Sequence, residues 1–485
     1  MSRPSILPLL LLLSGACAVR TPPPVAPLPV TRLSTTPGAA GDSLRQFFDS
    51  LATAPGAVAR PGTLSLDTDG APAVAWAELL QDSVLMGLVR EAMTNNRDLA
   101  IARARILEFR AELGVDNAAR LPEVTLAGSA ARQQVVFGSL GTFGFDAFVA
   151  TANLSWELDF WGRIRGNVAG ARADLEGRRE DVRATVLSLV GDVSSAYLRL
   201  RALDQNLAIA ERTLASRRQT LRLAERRFAE GVISELDVRQ FEAQVAGPAA
   251  RVAEFQLAIA QTEHQLSQLL GRAPGPIDRG RPLAEVARAV VLPDSVSSIL
   301  VAQRPDILRA SHDLEAAAAR AGSARAARLP SFLLTGQYGS QAESPADLFK
   351  GTTEIYTIQA GVAIPLFDNG RRANTARAES AREEQARFRY EQAVLTALRE
   401  VSDALLAVRA THEQLLAQDV QVRALRRAYD LAVRRYDSGV SSYLEVLDAQ
   451  RSLFEAELAT TGVEQAYLTS GVQLFRALGG SWQEK

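Results

Sequence analysis

The chain has 485 residues, of which 47% are hydrophobic and 22% charged, a composition that supports a packed core and excludes a largely disordered protein. The formal net charge is −1, so the chain lacks the strongly basic balance typical of nucleic-acid binding, and we exclude nucleic acid as a partner. The single cysteine, Cys17, excludes an internal disulfide and a cysteine-based metal site.

The N-terminus is typical of an exported protein. A short apolar run at 6–18 ends in small residues, which predicts a secretory signal peptide, and the run is too short for a mature transmembrane helix. The stretch Leu13-Ser14-Gly15-Ala16-Cys17 resembles a bacterial lipobox, in which the cysteine becomes the lipidated first residue. Ordinary signal cleavage around Cys17 fits as well and would remove that cysteine. We therefore predict a signal peptide over 1–17, with Cys17 as the candidate lipidation site.

A tether and a helix follow the signal peptide. Residues 18–75 are rich in Pro, Gly, Ala, Ser and Thr, which predicts a largely irregular segment. Asp82 or Ser83 can cap a helix with apolar residues at helical spacing, and this helix is expected to continue unbroken towards Ala119. Pro122 prevents it from extending further.

Beyond the tether, the chain consists of two copies of one unit, 208 residues apart. The stretch from Arg226 to Asp237 recurs from Arg434 to Glu445, and the same offset relates many other positions, without a net insertion. A repeat of this length determines the fold and has to be identified first. The predicted divisions are repeat 1 at 76–272, a proline-rich connecting segment at 273–302, repeat 2 at 303–482 and a tail at 483–485.

Four segments alternate apolar and polar residues, which predicts half-buried strands. They lie at 122–133, 145–158, 331–340 and 355–366. Their lengths are close to the roughly 9 to 11 residues of a tilted membrane-spanning strand, and the sequence offers no second sheet for them to pack on. Four strands cannot close a barrel, because small barrels need about eight, and open strand edges are excluded from lipid. Closure therefore requires further copies of the chain.

Two long segments, 162–228 and 370–436, contain no proline and predict helices roughly 100 Å long at 1.5 Å per residue. Apolar residues recur in both at alternating steps of three and four, the spacing that lets helices supercoil. Polar residues interrupt this seam at matching places in the two copies. Either solvation at the edge of a bundle or the lining of a water-filled channel explains these interruptions. They are Asp204, Glu211 and Arg218 in the first copy and His412, Asp419 and Arg426 in the second.

Each long helix is predicted to turn back at the repeated motif. Gly231 and Gly439 stand where a left-handed residue ends a helix. Ser234 with Asp237, and Ser442 with Glu445, have the spacing of a capping box that starts the next helix. The motif is therefore the tip of a helical hairpin, with returning helices that run to about Leu270 and Leu478.

The second tip carries a family resemblance. The pattern Tyr436-x-x-Gly439-x-x-Ser442-x-Leu444-Glu445-Val446-Leu447-Asp448-Ala449-Gln450, together with the tandem repeat and the ending Leu478-Gly479-Gly480-Ser481-Trp482, resembles the TolC-type outer-membrane efflux proteins, in the lipidated branch paired with RND pumps. The resemblance covers about 76–482. It implies a mainly α fold with β: a tandem-repeat protomer with long coiled-coil hairpins and four membrane strands. Three protomers would form one twelve-strand β-barrel and a periplasmic α-helical tunnel.

The resemblance also implies a gate at the periplasmic end. It assigns Leu444, Glu445 and Asp448 to the closing aperture, and Tyr436 and Asp237 to links between neighbouring helix pairs. Asp237 and Glu445 are also explained as capping acids near helix N-termini. Asp448 lies beyond the capping box, so three symmetry-related copies around an axis explain it better.

Partners and activity follow from the same resemblance. A homotrimer in the cell outer membrane, anchored by lipid and extending into the periplasm, would receive solutes from an inner-membrane RND-type pump. A periplasmic adaptor would grip the hairpin tips at Gly231, Val232, Ser234, Gly439, Val440 and Ser442. The histidines lack ligand or catalytic spacing, so we expect no enzyme, no cofactor and no metal. The expected function is a passive duct for drugs and toxic small molecules; the alternatives are the exit duct of a type I protein-secretion system and an exported coiled-coil scaffold without a pore.

Overall fold

The computed structural model describes residues 32–34, 81–136, 142–290, 292, 295–297 and 301–480. The signal peptide, Cys17 and most of the tether therefore lie outside the described residues. The helices are α1 (Ser83–Asn95), α2 (Arg97–Ala118), α3 (Arg163–Ala229), α4 (Glu235–Leu269), α5 (Leu283–Ala289), α6 (Pro305–Ala326), α7 (Arg371–Asp437) and α8 (Tyr443–Ala477). The strands are β1 (Arg32–Ser34), β2 (Glu123–Val136), β3 (Thr142–Leu158), β4 (Ser295–Ser297), β5 (Ser331–Ala342) and β6 (Glu354–Ala363).

The two predicted repeats are visible in the order of these elements. Each has a helical segment, a β-hairpin, a helix of 67 residues and a returning helix of 35 residues. The chain forms two compact units. The first unit, Ala104–Arg179 with Arg309–Gln392, contains the main sheet, and the second, which includes Glu180–Leu308 and Ala393–Lys485, contains the hairpin tips.

The main sheet has the order β2-β3-β5-β6 and is antiparallel throughout. The four predicted strands are confirmed, with shifted ends. The last strand ends at Ala363 rather than at residue 366, because Pro365 has no backbone N–H to donate to a neighbouring strand. In this four-stranded sheet β2 and β6 each pair on one side only, and the apolar side chains of β6 are exposed, Ile358 at 78%.

The helix predicted to be continuous from residue 82 to residue 119 is wrong, because it breaks at Asn96. Asn96 has an extended backbone, ψ 133°. Its Oδ1 accepts from the Leu99 N–H at 3.0 Å, which caps α2, and its Nδ2 donates to the Leu269 carbonyl at 2.9 Å. At the equivalent place in repeat 2, Arg304 donates to the Ala477 carbonyl at 2.7 Å. In both repeats, therefore, the side chain at this position donates a hydrogen bond to a carbonyl at the end of the returning helix, which has no partner within that helix.

The long helices bury their apolar seam over only part of their length. Val193 and Leu200 in α3 and Val401 in α7 are fully buried. Towards the tips the same seam becomes partly exposed, and Phe228 is 44% exposed. None of the helices that the structure describes combines the length and the apolarity that crossing a bilayer would need.

The connecting segment is more regular than its prolines indicated. It contains the short helix α5, and its strand β4 pairs antiparallel with β1 of the tether, where Leu33 stands opposite Val296. Within residues 18–75, which were predicted to be largely irregular, the described residues Arg32–Ser34 form a strand. A strand of three residues has too short a pattern to be recognised by alternation.

Candidate functional site at the hairpin tips

The first tip has the geometry that its sequence predicts. Gly231 has φ 74°, a left-handed conformation that suits glycine. The Gly231 N–H donates to the Phe228 carbonyl at 2.9 Å and the Val232 N–H to the Arg227 carbonyl at 2.8 Å, the two hydrogen bonds of a Schellman motif. The chain therefore reverses here without leaving these donors unsatisfied.

A complete capping box starts α4. The Ser234 N–H donates to Asp237 Oδ2 at 2.9 Å, and the Asp237 N–H donates to Ser234 Oγ at 3.3 Å. Hydrogen bonds from the Ser234 hydroxyl and N–H lower the pKa of the Asp237 carboxyl. Within one chain, the carboxylate of Asp237 is thus bound by its own tip.

The second tip differs from the first after its glycine. Gly439 has φ 70° and the Schellman bonds recur, with the Val440 N–H donating to the Arg435 carbonyl at 2.9 Å. Ser442, however, is an N-cap without a side-chain hydrogen bond to the helix. Glu445 instead lies 3.5 Å from Nε of Arg435. The second predicted capping box is therefore wrong, because an arginine of the preceding helix pairs with its acid.

Arg227 and Tyr436 link the two hairpins. The Arg227 guanidinium donates a short hydrogen bond to the Tyr436 hydroxyl and lies 5.8 Å from the centre of its ring. Tyr436 packs edge-on against Tyr443, with ring centres 5.0 Å apart, and Tyr443 contacts Phe241 at 4.7 Å. Burial raises the pKa of the Tyr443 hydroxyl. The cluster joins α3, α4, α7 and α8.

Sequence reasoning found only Tyr436 of this cluster. Nothing in the spacing of Arg227 distinguishes it from the many other arginines of α3, and Phe241 and Tyr443 fit an ordinary apolar seam. The one available signal is that Arg226-Arg227 and Arg434-Arg435 occupy equivalent positions in the repeated motif.

The aperture candidates are exposed in the single chain. The side chain of Asp448 is 67% exposed and pairs with Arg451 at 2.8 Å, and Arg451 also lies 3.8 Å from Glu455. Asp448 therefore has a local partner that sequence reasoning did not identify. Leu444 is 68% exposed, and Val232 and Val440 are also exposed, so apolar surface extends over both tips.

Ion pairs also join the two hairpins, further along the same helices. Glu457 of α8 lies 2.5 Å from Arg426 of α7 and 3.7 Å from Arg212 of α3. Gln450 of α8 donates to the Ser216 hydroxyl of α3 at 3.2 Å. Hydrogen bonds and ion pairs therefore join the two hairpins at several levels. Arg426, which interrupts the apolar seam of α7, is a member of one of these ion pairs.

The comparisons with known proteins identify the family of the repeated unit. The family model for outer membrane efflux proteins matches residues 88–272 and 296–480, two matches separated by the 208 residues of the repeat. The toluene efflux pump outer membrane protein TtgC of Pseudomonas putida is 34% identical, over 84% of this chain and 86% of that protein. The cation efflux system protein CusC of Escherichia coli O157:H7 is 31% identical, over 84% of this chain and 88% of that protein. The solved structure of the outer-membrane channel OprN has a TM-score of 0.80 at 28% identity and covers 89% of this chain and 100% of its own.

Proposed function

Because the chain belongs to the outer membrane efflux protein family, we propose that it forms a duct whose periplasmic end is held closed by the link between Arg227 and Tyr436. The protein is an outer-membrane component of an efflux system and extends into the periplasm, and it is a passive channel rather than an enzyme.

Closure of the barrel is supported by the main sheet. Edge strands β2 and β6 leave backbone donors and acceptors free on one side, which lipid does not tolerate. Because the sheet alternates direction, β2 of one copy is antiparallel to β6 of another. Three copies supply twelve strands, enough to close a barrel around an open channel.

The single observation that carries the gate is the hydrogen bond from Arg227 to the Tyr436 hydroxyl. It joins helices of different hairpins at the level of the exposed Leu444 and the acids Glu445 and Asp448. Separating the hairpins breaks this charge-assisted bond, which is stronger than a bond between neutral groups. We assign Asp237 a capping role and give the linking role to Tyr436.

The gate is tested with Tyr436→Phe, which removes the hydroxyl and keeps the ring contact with Tyr443. We expect the purified variant in a planar bilayer to show a higher mean conductance and longer open times than wild type, because the closed state loses about 1.5 to 3 kcal/mol of charge-assisted bonding. Tyr390→Phe, on the same helix but far from the tip, is the control and should leave conductance unchanged. Equal conductance of Tyr436→Phe and wild type would refute the gate.

The exposed tips fit a periplasmic adaptor that delivers solutes from an inner-membrane RND-type pump. Val232 and Val440 are each 66% exposed, and the two Schellman turns, at Gly231 and Gly439, present them in the same local geometry. We infer that the adaptor packs on these residues and on Ser234 and Ser442. Site-specific crosslinking from position 440 in cells should capture the adaptor, and a failure to capture it there while a position on β6 does would contradict this docking site.

The cargo is set outside this chain. One relative is named for toluene and another for cations, although both are similar to this chain over most of its length. We infer that the pump selects the solute, and we propose drugs and other toxic small molecules as the cargo. No observation favours the protein-secretion duct or the scaffold without a pore. Cys17 remains the proposed lipid anchor, and the mass of the mature N-terminus distinguishes lipidation from ordinary cleavage.

A further inference from the structure

A cavity of about 650 Å³ opens in the second unit, far along the chain from the tips. It lies where α4 ends and the connecting segment begins, next to the first residue of α2. It is an open depression in the surface, because every residue that lines it except the half-buried Gly271 is exposed. The residues that line it are Arg97, His264, Gln265, Gln268, Gly271, Arg272 and Pro274.

The lining is basic. Among the described residues that form it, two are arginines, one is a histidine and none is acidic. Glu91 lies 3.3 Å from Nη1 of Arg272, and Nη2 of Arg272 donates to the Pro276 carbonyl at 3.5 Å, so each terminal nitrogen keeps one further N–H for a ligand. Arg97 makes no ion pair with any residue in the described part of the chain. Arginine side chains in such a setting recognise carboxylate and phosphate oxygens, because their planar fork of N–H groups matches these anions.

The cavity is formed before any ligand arrives. Gly271, with φ 71°, lies so close to the Asn95 carbonyl that a side chain would clash with it. The Arg272 N–H donates to the Ser267 carbonyl at 3.0 Å, and its side chain reaches the Pro276 carbonyl at 3.5 Å. Asn96 holds the end of α4 against the start of α2. These contacts fix the backbone of the walls, so a ligand has to order only the exposed side chains that bind it.

The second repeat provides an internal comparison. At the offset of 208 residues, Arg97, His264 and Arg272 correspond to three buried nonpolar residues. These are Pro305, Val472 and Gly480. The lining residue Gln268, in contrast, corresponds to Arg476, which pairs with Asp192 at 3.1 Å. The second repeat therefore carries one arginine here and supplies an acid for it, whereas the first repeat brings Arg97 and Arg272 together and the described residues give Arg97 no acid partner.

We propose that this cavity binds a small organic anion through carboxylate or phosphate oxygens. The guanidinium groups of Arg97 and Arg272 donate to the anion, His264 and the amides of Gln265 and Gln268 supply further hydrogen bonds, and Pro274 contacts an apolar part. The site does not depend on the gate or on conduction, so each can be disproved without the other.

The test is titration calorimetry of the purified full-length protein at low salt, with citrate as the carboxylate probe and pyrophosphate as the phosphate probe. We expect saturable binding of at least one probe with one site per chain, and the arm that binds identifies the oxyanion. Arg97→Gln should weaken binding about tenfold, because a hydrogen bond to a charged group contributes about 1.4 kcal/mol or more.

Arg90→Gln is the matched control, since Arg90 is exposed on α1 and does not line the cavity. It should leave the affinity unchanged, and unfolding curves of both variants should match that of wild type. The proposal is overturned if neither probe binds saturably, or if Arg97→Gln and Arg90→Gln bind the probe equally well.

Discussion

Asp82 holds together three parts of the second unit. Its buried carboxylate accepts from the Val84 N–H at 2.9 Å, the Tyr197 hydroxyl at 3.0 Å and the Arg281 N–H at 3.1 Å. The Tyr197 hydroxyl in turn accepts from the Gly280 N–H at 2.8 Å. Burial raises the pKa of the Tyr197 hydroxyl, so it remains a donor throughout the ordinary pH range. The start of α1, the middle of α3 and the connecting segment therefore share one polar network.

This network predicts a specific sensitivity at Gly280. A methyl group on Gly280 would clash with the Asp82 carboxylate, whereas one on Gly275, in the same segment, would meet no atom closer than 4.0 Å. Gly280→Ala should therefore lower the free energy of unfolding by about 2 kcal/mol or more. Gly275→Ala should change it by less than about 0.5 kcal/mol. Thermal unfolding of the two variants checks this, and equal midpoints would show that the network does not contribute to stability.

The buried carboxyl of Glu464 makes the stability of the fold depend on pH. It is 3% exposed and accepts from the Gln205 amide at 2.8 Å. Burial raises its pKa above the ordinary value of 4.5, Gln205 and the charge of Arg288 lower it, and Asp419 raises it further. As pH rises, the unfolded chain therefore loses the Glu464 proton at a lower pH than the folded chain does. The protonated carboxyl stabilises the fold fully below pH 4.5, and this contribution is lost as pH rises through the pKa of Glu464 in the folded chain.

Glu464→Gln removes this titration and retains an acceptor for Gln205. Relative to wild type, the variant should gain stability between about pH 4 and about pH 7, because only wild type then carries a buried charge. Denaturant unfolding at the two pH values measures the difference. A stability difference that is the same at both values would contradict the assignment.

At the scale of elements, the two tips form a natural pair for experiment. Ser234 caps α4 through its side chain, whereas Ser442 starts α8 without such a bond. Ser234→Ala should weaken the first turn of α4 by about 1 kcal/mol, which increases amide hydrogen exchange there about fivefold. Ser442→Ala should leave exchange at the start of α8 unchanged. Equal effects of the two changes would mean that the tips are capped in the same way.

The elements that sequence reasoning predicted well are those fixed by local chemistry. The long helices need only their own apolar spacing and the absence of proline, and Gly231 and Gly439 signal their ends directly. The break at Asn96 was missed because its cause is the Leu269 carbonyl, 173 residues away. The pairing of Glu445 with Arg435 was missed for a related reason: a capping pattern indicates a local bond but not the arginine that competes for it.

The residues of the candidate site also fall into those that the sequence identified and those that only the fold revealed. Tyr436 was identified because it belongs to a recognisable motif, whereas its partner Arg227 became visible only when the fold brought α3 beside α7. Asp448 appeared to lack a local partner until Arg451, one helical turn later, was seen to pair with it. Spacing predicts which residues share a helix face, but it does not predict which rotamers meet.

At the scale of the whole molecule, the channel requires more than one chain. In the part of the chain that the structure describes, β2 and β6 of the main sheet each pair on one side only, and the apolar side chains of β6 are exposed. A single copy therefore leaves both its strand edges and its apolar surface without partners, whereas three copies pair every edge. The family to which the chain belongs includes outer-membrane channels of closely similar fold.

The most direct measurement is single-channel conductance of the purified protein, separated by oligomeric state and weighed by native mass spectrometry. We predict that the fraction with three chains conducts and that the monomeric fraction is silent, because four strands cannot close a barrel. Conductance by monomers, or trimers that insert into bilayers and never conduct even with Tyr436→Phe, would contradict the account.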